Sequence, residues 1–304
     1  MQATSKVLMI RPVNFGYNSQ TAESNAFQKK PETTELVHQN ALKEFEALVD
    51  LLQKNGVEVT VIQDTPEPHT ADSIFPNNWI STHDSGQVFL YPMQAENRRR
   101  ERKREAIETI KNNFAVREII DLSYFEKENK FLEGTGSMVL DRENKVAYAC
   151  ISPRTNIEVL NRFSELSGYR IISFHAFDKE GKAIYHTNVL MCIGQKFSVI
   201  CTASITNRQE REAVIKCIAD SGKEIIKISF EEMNGFAGNM LQLKNNKDQD
   251  LLVMSEHAYQ ALTGEQIQTL STFCKILHSP LYTIESNGGG SARCMIAEIF
   301  LECK

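Results

Sequence analysis

The sequence lacks the features of a membrane or secreted protein. No apolar run in its 304 residues approaches the roughly 20 residues that cross a bilayer, and the first such run, 7–10, is too short for a signal peptide. The seven cysteines form no C-x-x-C pair, and the histidines have no ligand spacing. We therefore expect a cytoplasmic protein with reduced thiols, no membrane partner, no metal and no other cofactor.

An excess of positive charge is also missing. The net charge is −5, which gives no reason to expect a nucleic-acid partner. The exception is the basic run 98–104, RRRERKR. Because Ala106, Ile107 and Ile110 follow it at helical spacing, we interpret the run as the solvated face of an amphipathic helix.

The chain has enough apolar residues for a large core. Hydrophobic residues make up 41% of it, which allows one large domain or two small ones. No low-complexity linker marks a boundary, and we predict a single domain over 1–304. Strand-like and helix-like runs alternate about five times, which indicates an α/β fold with several strand–helix–strand units. The predicted strands are 6–12, 57–62, 87–91, 145–151, 197–202, 251–255 and 281–285, and the predicted helices are 34–55, 98–114, 155–168, 207–222 and 264–277.

The most informative segment is 286–296, SNGGGSARCMI. Its three glycines can adopt backbone angles that are closed to other residues, and the apolar run 295–301 can anchor the loop in a core. Cys294 is thereby placed where a flexible loop meets a rigid element, with backbone N–H groups free to face a reacting centre. This placement suits a nucleophilic thiol. The other six cysteines lie in apolar or helical contexts and are expected to be structural.

Three upstream segments set polar residues in an apolar context, where an unpaired polar side chain is costly. They are SIFPNNW at 73–79, FLEGTGS at 131–137 and YHTN at 185–188. The order and spacing of these motifs and the cysteine loop resemble those of guanidino-group-modifying enzymes: arginine deiminases, dimethylarginine hydrolases and amidinotransferases. The segment SPRTN at 152–156 is a fifth match. The resemblance implies a five-bladed, pseudo-symmetric α/β propeller with a central active site.

The resemblance also implies a role for each matching residue. Cys294 corresponds to the nucleophile, His186 to the general acid and base, and Glu133 to the group that orients the histidine. Arg154 could hold a substrate α-carboxylate through its guanidinium fork. His175 is a rival to His186 but lacks the motif. The competing interpretations are an inert core cysteine, a structural histidine, a carboxylate that bonds turn amides and a surface arginine.

Two amides determine the predicted substrate. Arginine deiminases have aspartates where this chain has Asn78 and Asn188, and burying a cationic guanidinium against neutral amides would forfeit its pairing energy. A carboxamide suits a neutral ureido group, since it can donate to the C=O and accept from the NH₂. We therefore predict a citrulline hydrolase that gives ornithine, carbon dioxide and ammonia through an S-carbamoyl-cysteine.

Two alternatives stay open. The first is an arginine deiminase or dimethylarginine hydrolase whose carboxylate comes from another residue, such as Asp72 or Asp84. The second is a catalytically silent binding protein of the same fold, against which the intact Cys294, His186 and Glu133 argue. The expected partner is a small amino-acid substrate, and a homodimer stays open.

Overall fold

The computed structural model describes residues 1–22, 25, 27–28 and 34–304. Within them lie fifteen strands: β1 (Lys6–Arg11), β2 (Glu58–Gln63), β3 (Ile80–Thr82), β4 (Gln87–Leu90), β5 (Glu118–Asp121), β6 (Met138–Asp141), β7 (Val146–Cys150), β8 (Arg170–Phe174), β9 (Met191–Ile193), β10 (Phe197–Ile200), β11 (Glu224–Lys227), β12 (Leu241–Lys244), β13 (Asp250–Ser255), β14 (Lys275–Ser279) and β15 (Ala297–Glu298).

The same residues contain eleven α-helices and four short 3₁₀ helices. The α-helices are α1 (Ser19–Ala22), α2 (Thr34–Lys54), α3 (Arg104–Asn113), α4 (Gly134–Ser137), α5 (Ile157–Ser167), α6 (Thr187–Leu190), α7 (Arg208–Asp220), α8 (Phe230–Asn234), α9 (Glu256–Ala261), α10 (Gly264–Phe273) and α11 (Tyr282–Gly288), and the 3₁₀ helices are Pro76–Asn78, Arg98–Glu101, Ser123–Glu128 and Thr202–Ser204. None of these helices has the length and apolar character needed to cross a membrane.

The strands form five three-stranded sheets with one repeated pattern. In the sheet β6-β7-β8, a hairpin makes the first two strands antiparallel, and the crossover helix α5 makes the third parallel to the second. Parallel neighbours need such a crossover, whereas antiparallel neighbours need only a tight turn. Five repeats of this unit form the five-bladed α/β propeller, so the predicted fold class is confirmed.

One blade joins the two ends of the chain. Its central strand is β1, which pairs in parallel with β2 and antiparallel with β15. Val7 lies opposite Glu298, and Leu8 lies opposite Ala297. The segment that follows Cys294 therefore completes the first sheet and closes the ring.

The helices pack on the sheets through apolar stripes, as α2 illustrates. Ala41, Phe45, Leu48 and Leu52 recur every three or four residues, and all four are fully buried. They belong to one core cluster with residues of β1, β13 and β14. Burial of each large side chain contributes about 1.5–3 kcal/mol, so this stripe fixes α2 against two neighbouring blades.

Each predicted element up to residue 263 overlaps an observed one, apart from the basic run described below, but the predicted list omits the strands β3, β5, β6, β8, β9, β11 and β12. The predicted helix 264–277 is too long, because β14 occupies its last residues. The predicted strand 281–285 is wrong, because the segment lies in α11. Glu44 accepts hydrogen bonds from the N–H groups of Thr283 and Ile284 at 2.8 and 2.9 Å. This cap comes from a distant helix, so the local pattern does not contain it.

Contact between neighbouring blades leads to a stability prediction at Gly238. A Cβ there would lie 2.3 Å from the carbonyl oxygen of Val189, so Gly238→Ala should lower the free energy of unfolding by roughly 1–3 kcal/mol. Urea unfolding would measure this loss. Gly264→Ala is the control, since a Cβ at Gly264 meets nothing within 4 Å, and it should be neutral or stabilising. Equal midpoints for the two variants would contradict the packing argument.

Candidate active site

Each blade supplies a polar residue just ahead of the first strand of its sheet. These residues are Asn78 before β3, Glu133 before β6, His186 before β9, Asn239 before β12 and Cys294 before β15. All five are buried. Because corresponding positions of the five blades face the propeller centre, residues far apart in sequence converge there.

Glu133 and His186 form a buried pair. His186 Nε2 lies 2.8 Å from Glu133 Oε2, and their side chains are 3% and 1% exposed. Arg154 Nη1 lies 3.4 Å from the same oxygen, and Gln94 N–H donates to Oε1. Burial alone raises the pKa of Glu133, but Arg154, the hydrogen bond from His186 and Arg98 outweigh it and hold that pKa well below its usual range. Glu133 is therefore a carboxylate.

His186 is neutral at physiological pH. Burial lowers the pKa of His186 to about 4, because the loss of hydration outweighs the bond and charge of Glu133, which act in the opposite direction. A carboxylate can only accept a hydrogen bond, so Nε2 carries the proton and Nδ1 is left as the acceptor. The ring is held in one tautomer, with Nδ1 available for proton exchange.

The cysteine loop depends on glycine at two positions. Gly289 has φ +64° at the end of α11, where its N–H donates to Glu285 O at 2.9 Å. That N–H is therefore engaged and not free for a reacting group. A Cβ at Gly290 would lie 2.8 Å from the Phe75 ring and 3.2 Å from Cys294 Cβ. Glycine thus permits the close packing that sets the thiol against the FPNNW segment.

The thiol of Cys294 lies against two carboxamides. Asn239 Nδ2 is 3.3 Å and Asn188 Nδ2 is 3.5 Å from Cys294 Sγ. The structure thus brings two of the predicted site residues, Asn188 and Cys294, into contact. Asn239 was not anticipated from the sequence.

A narrow cavity opens onto the thiol. Cys294, His186, Asn78 and Arg154 line it together, so the structure brings these predicted residues to one place. Arg154 is 2% exposed, which excludes the surface-arginine interpretation. Its guanidinium lies 4.8 Å from the Tyr185 ring centroid and, as described above, beside Glu133. Arg154 therefore supports the Glu133 carboxylate, whatever it contributes to binding.

The interpretation of the basic run as a solvated face is wrong for Arg98, which lines the same cavity and is 3% exposed. The run divides into a 3₁₀ turn and α3. In that turn Arg98 donates two hydrogen bonds of 2.9 Å to Glu101 and one of 2.9 Å to Asn78 Oδ1. The change of helix type turns this side chain inward, which the helical spacing of the apolar residues did not indicate.

A carboxyl group also faces the cavity. Asp72 is 2% exposed, and its Oδ2 accepts hydrogen bonds from Asn18 and Thr21 at 2.7 and 3.3 Å. Its Oδ1 is buried without a partner among the described residues. Burial raises the pKa of Asp72, although Arg98 lies 3.7 Å away and acts against the rise. Asp84, the other carboxyl considered from the sequence, is exposed and outside the cavity.

A larger cavity of about 470 Å³ adjoins the site through Tyr185, which lines both. It contains neither Cys294 nor His186, so the narrower cavity is the candidate active site. Across the described ranges no group of three or more His, Cys, Asp and Glu could hold a metal ion.

Sequence comparison is consistent with this geometry. Residues 11–301 match the family described as N,N dimethylarginine dimethylhydrolase, eukaryotic. The chain belongs to this family. The resemblance to guanidino-group-modifying enzymes is thereby confirmed. No curated protein matches the sequence.

Solved structures share the fold at low sequence identity. ArgZ, an arginine dihydrolase from the cyanobacterial ornithine–ammonia cycle, superposes with a TM-score of 0.76 at 15% identity, over 98% of this chain and 40% of ArgZ. This chain thus spans about two fifths of full-length ArgZ. The product-bound N-terminal domain of ArgZ gives 0.76 at 15% identity, over 97% of this chain and 98% of the domain. An adduct of dimethylarginine dimethylaminohydrolase with S-methyl-L-thiocitrulline gives a TM-score of 0.65 at 15% identity, over 97% of this chain and 99% of that protein's chain.

The missed residue Asn239 had a sequence signal. The predicted α/β pattern has five units, but chemical motifs were assigned to four of them. Residues 236–239, FAGN, place small residues and an amide directly before the apolar strand β12. Asn78 likewise lies two residues before β3. A search for the fifth blade's contribution would have found it.

The pKa of His186 leads to a prediction about stability. Its folded pKa of about 4 lies below the ordinary value of 6.5, so the unfolded chain binds this proton more readily. The part of the unfolding free energy that comes from the neutral His186 is complete above about pH 6.5 and is lost as the pH falls toward 4. His186→Asn removes it, so the unfolding free energy of this variant should fall less steeply between those values, by up to ~1.4 kcal/mol per pH unit. Urea unfolding at several pH values would measure both slopes.

The exposed His69 provides the control for this comparison. The variant His69→Asn should keep the steep slope of the unmodified protein. If His186→Asn shows the same slope as His69→Asn, burial does not hold His186 neutral.

Proposed function

We propose that the protein hydrolyses the guanidino group of an arginine-like amino acid, with Cys294 as the nucleophile. The observation that carries this proposal is the buried Asp72 carboxyl, which lines the cavity that holds the thiol and has one oxygen without a hydrogen-bond partner among the described residues. A guanidinium offers N–H donors for that oxygen and a positive charge in addition to the one that Arg98 places 3.7 Å from the other oxygen. Asn78 and Asn188 by themselves favour a neutral ureido group, but Asp72, the carboxyl of the alternative kept open from the sequence, also lines the site.

The charge of the site supports a cationic substrate. Burial raises the pKa of Asp72 even with Arg98 beside it, so the carboxylate form is incompletely stabilised. A substrate cation would supply the missing stabilisation. Proteins of similar structure support the same class of substrate, because they are named as arginine dihydrolases and as a dimethylarginine dimethylaminohydrolase.

The reaction then follows from the pair of Glu133 and His186 described above. The Cys294 sulfur attacks the guanidino carbon, and His186 Nδ1 receives the thiol proton and passes it to the departing amine. The bond between the carbon and the terminal nitrogen breaks, which releases ammonia or an alkylamine. His186 next takes a proton from water, whose oxygen attacks the thiouronium carbon. The carbon–sulfur bond then breaks, the proton returns to the Cys294 sulfur, and a ureido amino acid is released. Glu133 stabilises the imidazolium that forms at each transfer.

Citrulline is the second candidate, and the two amides favour it. Asn78 Nδ2 is a buried donor and Asn188 Oδ1 a buried acceptor, and neither has a partner among the described residues. A ureido group offers one acceptor and one NH₂ donor, which matches this pair. Asp72 would then bind the α-ammonium group of the substrate. Attack by Cys294 would release ornithine and leave an S-carbamoyl group, which water converts to carbon dioxide and ammonia.

The nucleophile is tested by Cys294→Ala. Turnover should be abolished with the fold intact, because no neighbouring side chain can supply a thiolate. Product release would be measured alongside circular dichroism. Cys303→Ala is the matched control, since Cys303 is exposed and outside the cavity, and it should keep full activity. Substantial turnover by a folded Cys294→Ala variant would remove this residue from the mechanism.

The two substrate classes are separated by their products. Purified protein would be incubated with arginine, methylated arginines and citrulline, and ammonia, methylamine, citrulline and ornithine would be measured separately. We expect citrulline to form from a guanidino substrate. Ornithine formed from citrulline, with no turnover of any arginine, would favour the second candidate.

The role of Asp72 is tested by Asp72→Asn, which keeps the shape and removes the charge. Loss of a charged hydrogen bond is worth about 1.5–3 kcal/mol, so kcat/KM for the guanidino substrate should fall roughly 10–100-fold. Turnover of citrulline, if present, should fall less. Asp84→Asn, at the exposed site, should change neither value. An equal loss for both substrates would assign Asp72 to the α-ammonium group.

A further inference from the structure

We infer that Asn239 is a further catalytic residue, which touches the reacting sulfur and stabilises the thiolate of Cys294. The inference rests on the proposed function only in taking Cys294 as the nucleophile. It applies to a guanidino and to a ureido substrate alike, since the thiolate attacks in both cases.

Three hydrogen bonds fix the orientation of the Asn239 amide. Its Oδ1 accepts from the Arg293 backbone N–H at 3.1 Å. Its Nδ2 donates to the Asn188 carbonyl at 3.0 Å and to Cys294 Sγ at 3.3 Å. If the amide were flipped, its NH₂ group would face the N–H of Arg293 and its oxygen would face the carbonyl of Asn188, and neither contact could be a hydrogen bond. The N–H group must therefore point at the sulfur.

The backbone around Asn239 holds this amide in place. Asn239 N–H donates to Phe236 O at 2.8 Å, and the backbone of Gly238 packs closely against the Val189 carbonyl, as described above. Asn239 itself is 1% exposed. A buried donor meets little competition from water and needs no reorganisation when charge develops on its acceptor.

The sulfur has few other groups to stabilise a negative charge. Among the side-chain hydrogen bonds of the described residues, Cys294 Sγ meets the amides of Asn188 and Asn239 and no histidine. His186 is directed to Glu133 and is neutral, so it places no cation beside the sulfur before proton transfer. Donors to the ionised form of a group favour that form. The two carboxamides therefore perform the role that an imidazolium has in a cysteine–histidine ion pair.

The same amide also accommodates the protonated thiol. Cys294 Sγ lies 3.7 Å from Asn239 Oδ1, a distance at which S–H can donate weakly. When the thiol loses its proton, this contact is lost and the shorter contact to Nδ2 strengthens. Proton loss thus replaces one hydrogen bond with another and requires no side chain to move.

The test measures thiol reactivity without any substrate. In a Cys303→Ala background, alkylation of Cys294 by iodoacetamide would be followed by mass spectrometry from pH 6 to 10. Asn239→Asp replaces the N–H donor with an anion of the same shape, so alkylation at pH 7 should slow at least about tenfold, and the midpoint of the pH profile should rise by about one unit. Asn239→Ala should shift it in the same direction by less.

The control is Asn207→Asp, at the N-cap of α7, where aspartate caps as well as asparagine. It should leave the alkylation profile unchanged. Folded Asn239 variants with the parental profile would overturn the inference, even if turnover were lost. If Asn239→Asp does not fold, Asn239→Ala decides by the same criterion. If the parent protein is not alkylated at Cys294 at all, the proposed nucleophile fails, and that outcome is distinct from failure of Asn239.

Discussion

The buried carboxylate of Glu133 is the interaction on which the centre of the molecule depends. It meets His186 at 2.8 Å, Arg154 at 3.4 Å and Arg98 at 4.0 Å. Without this negative charge two buried guanidinium groups would lose a counter-ion, and the imidazole would lose the partner that fixes its tautomer. Removing one member of such a buried group is strongly destabilising. The same charge therefore serves the fold and the chemistry.

The propeller explains why this polar cluster can exist inside a core. Each blade buries its own apolar faces against its helices, and the polar residues precede the first strands, where the backbone has not yet entered a sheet. The ends of five small sheets thus enclose a polar centre. Several of its polar atoms have no partner among the described residues. Burial of such atoms without a partner costs free energy, and a bound substrate that supplies the partner can recover it.

Sequence analysis could place a residue at the centre where a local motif carries both the turn and the polar side chain. Cys294 follows its glycines, Glu133 lies in a small-residue turn, and His186 precedes an apolar strand, so each could be identified from neighbouring residues. Where distant contacts decide, it was wrong about Arg98 and kept Asp72 only as one of two alternatives. Arg98 turns inward through a change of helix type, and Asp72 is set at the cavity by Asn18 and Thr21. A helical charge pattern or a single carboxyl reveals neither arrangement.

Closure of the ring has a consequence for the order in which the protein is made. β15 pairs with β1, and almost the whole chain separates the two strands. During synthesis four blades can form from strands already translated, whereas the first blade waits for its antiparallel strand. Contacts between such distant segments are slow to form, because the entropy of closing the chain must be overcome first. Cys294 immediately precedes that strand, so the proposed nucleophile reaches its place only when the ring closes.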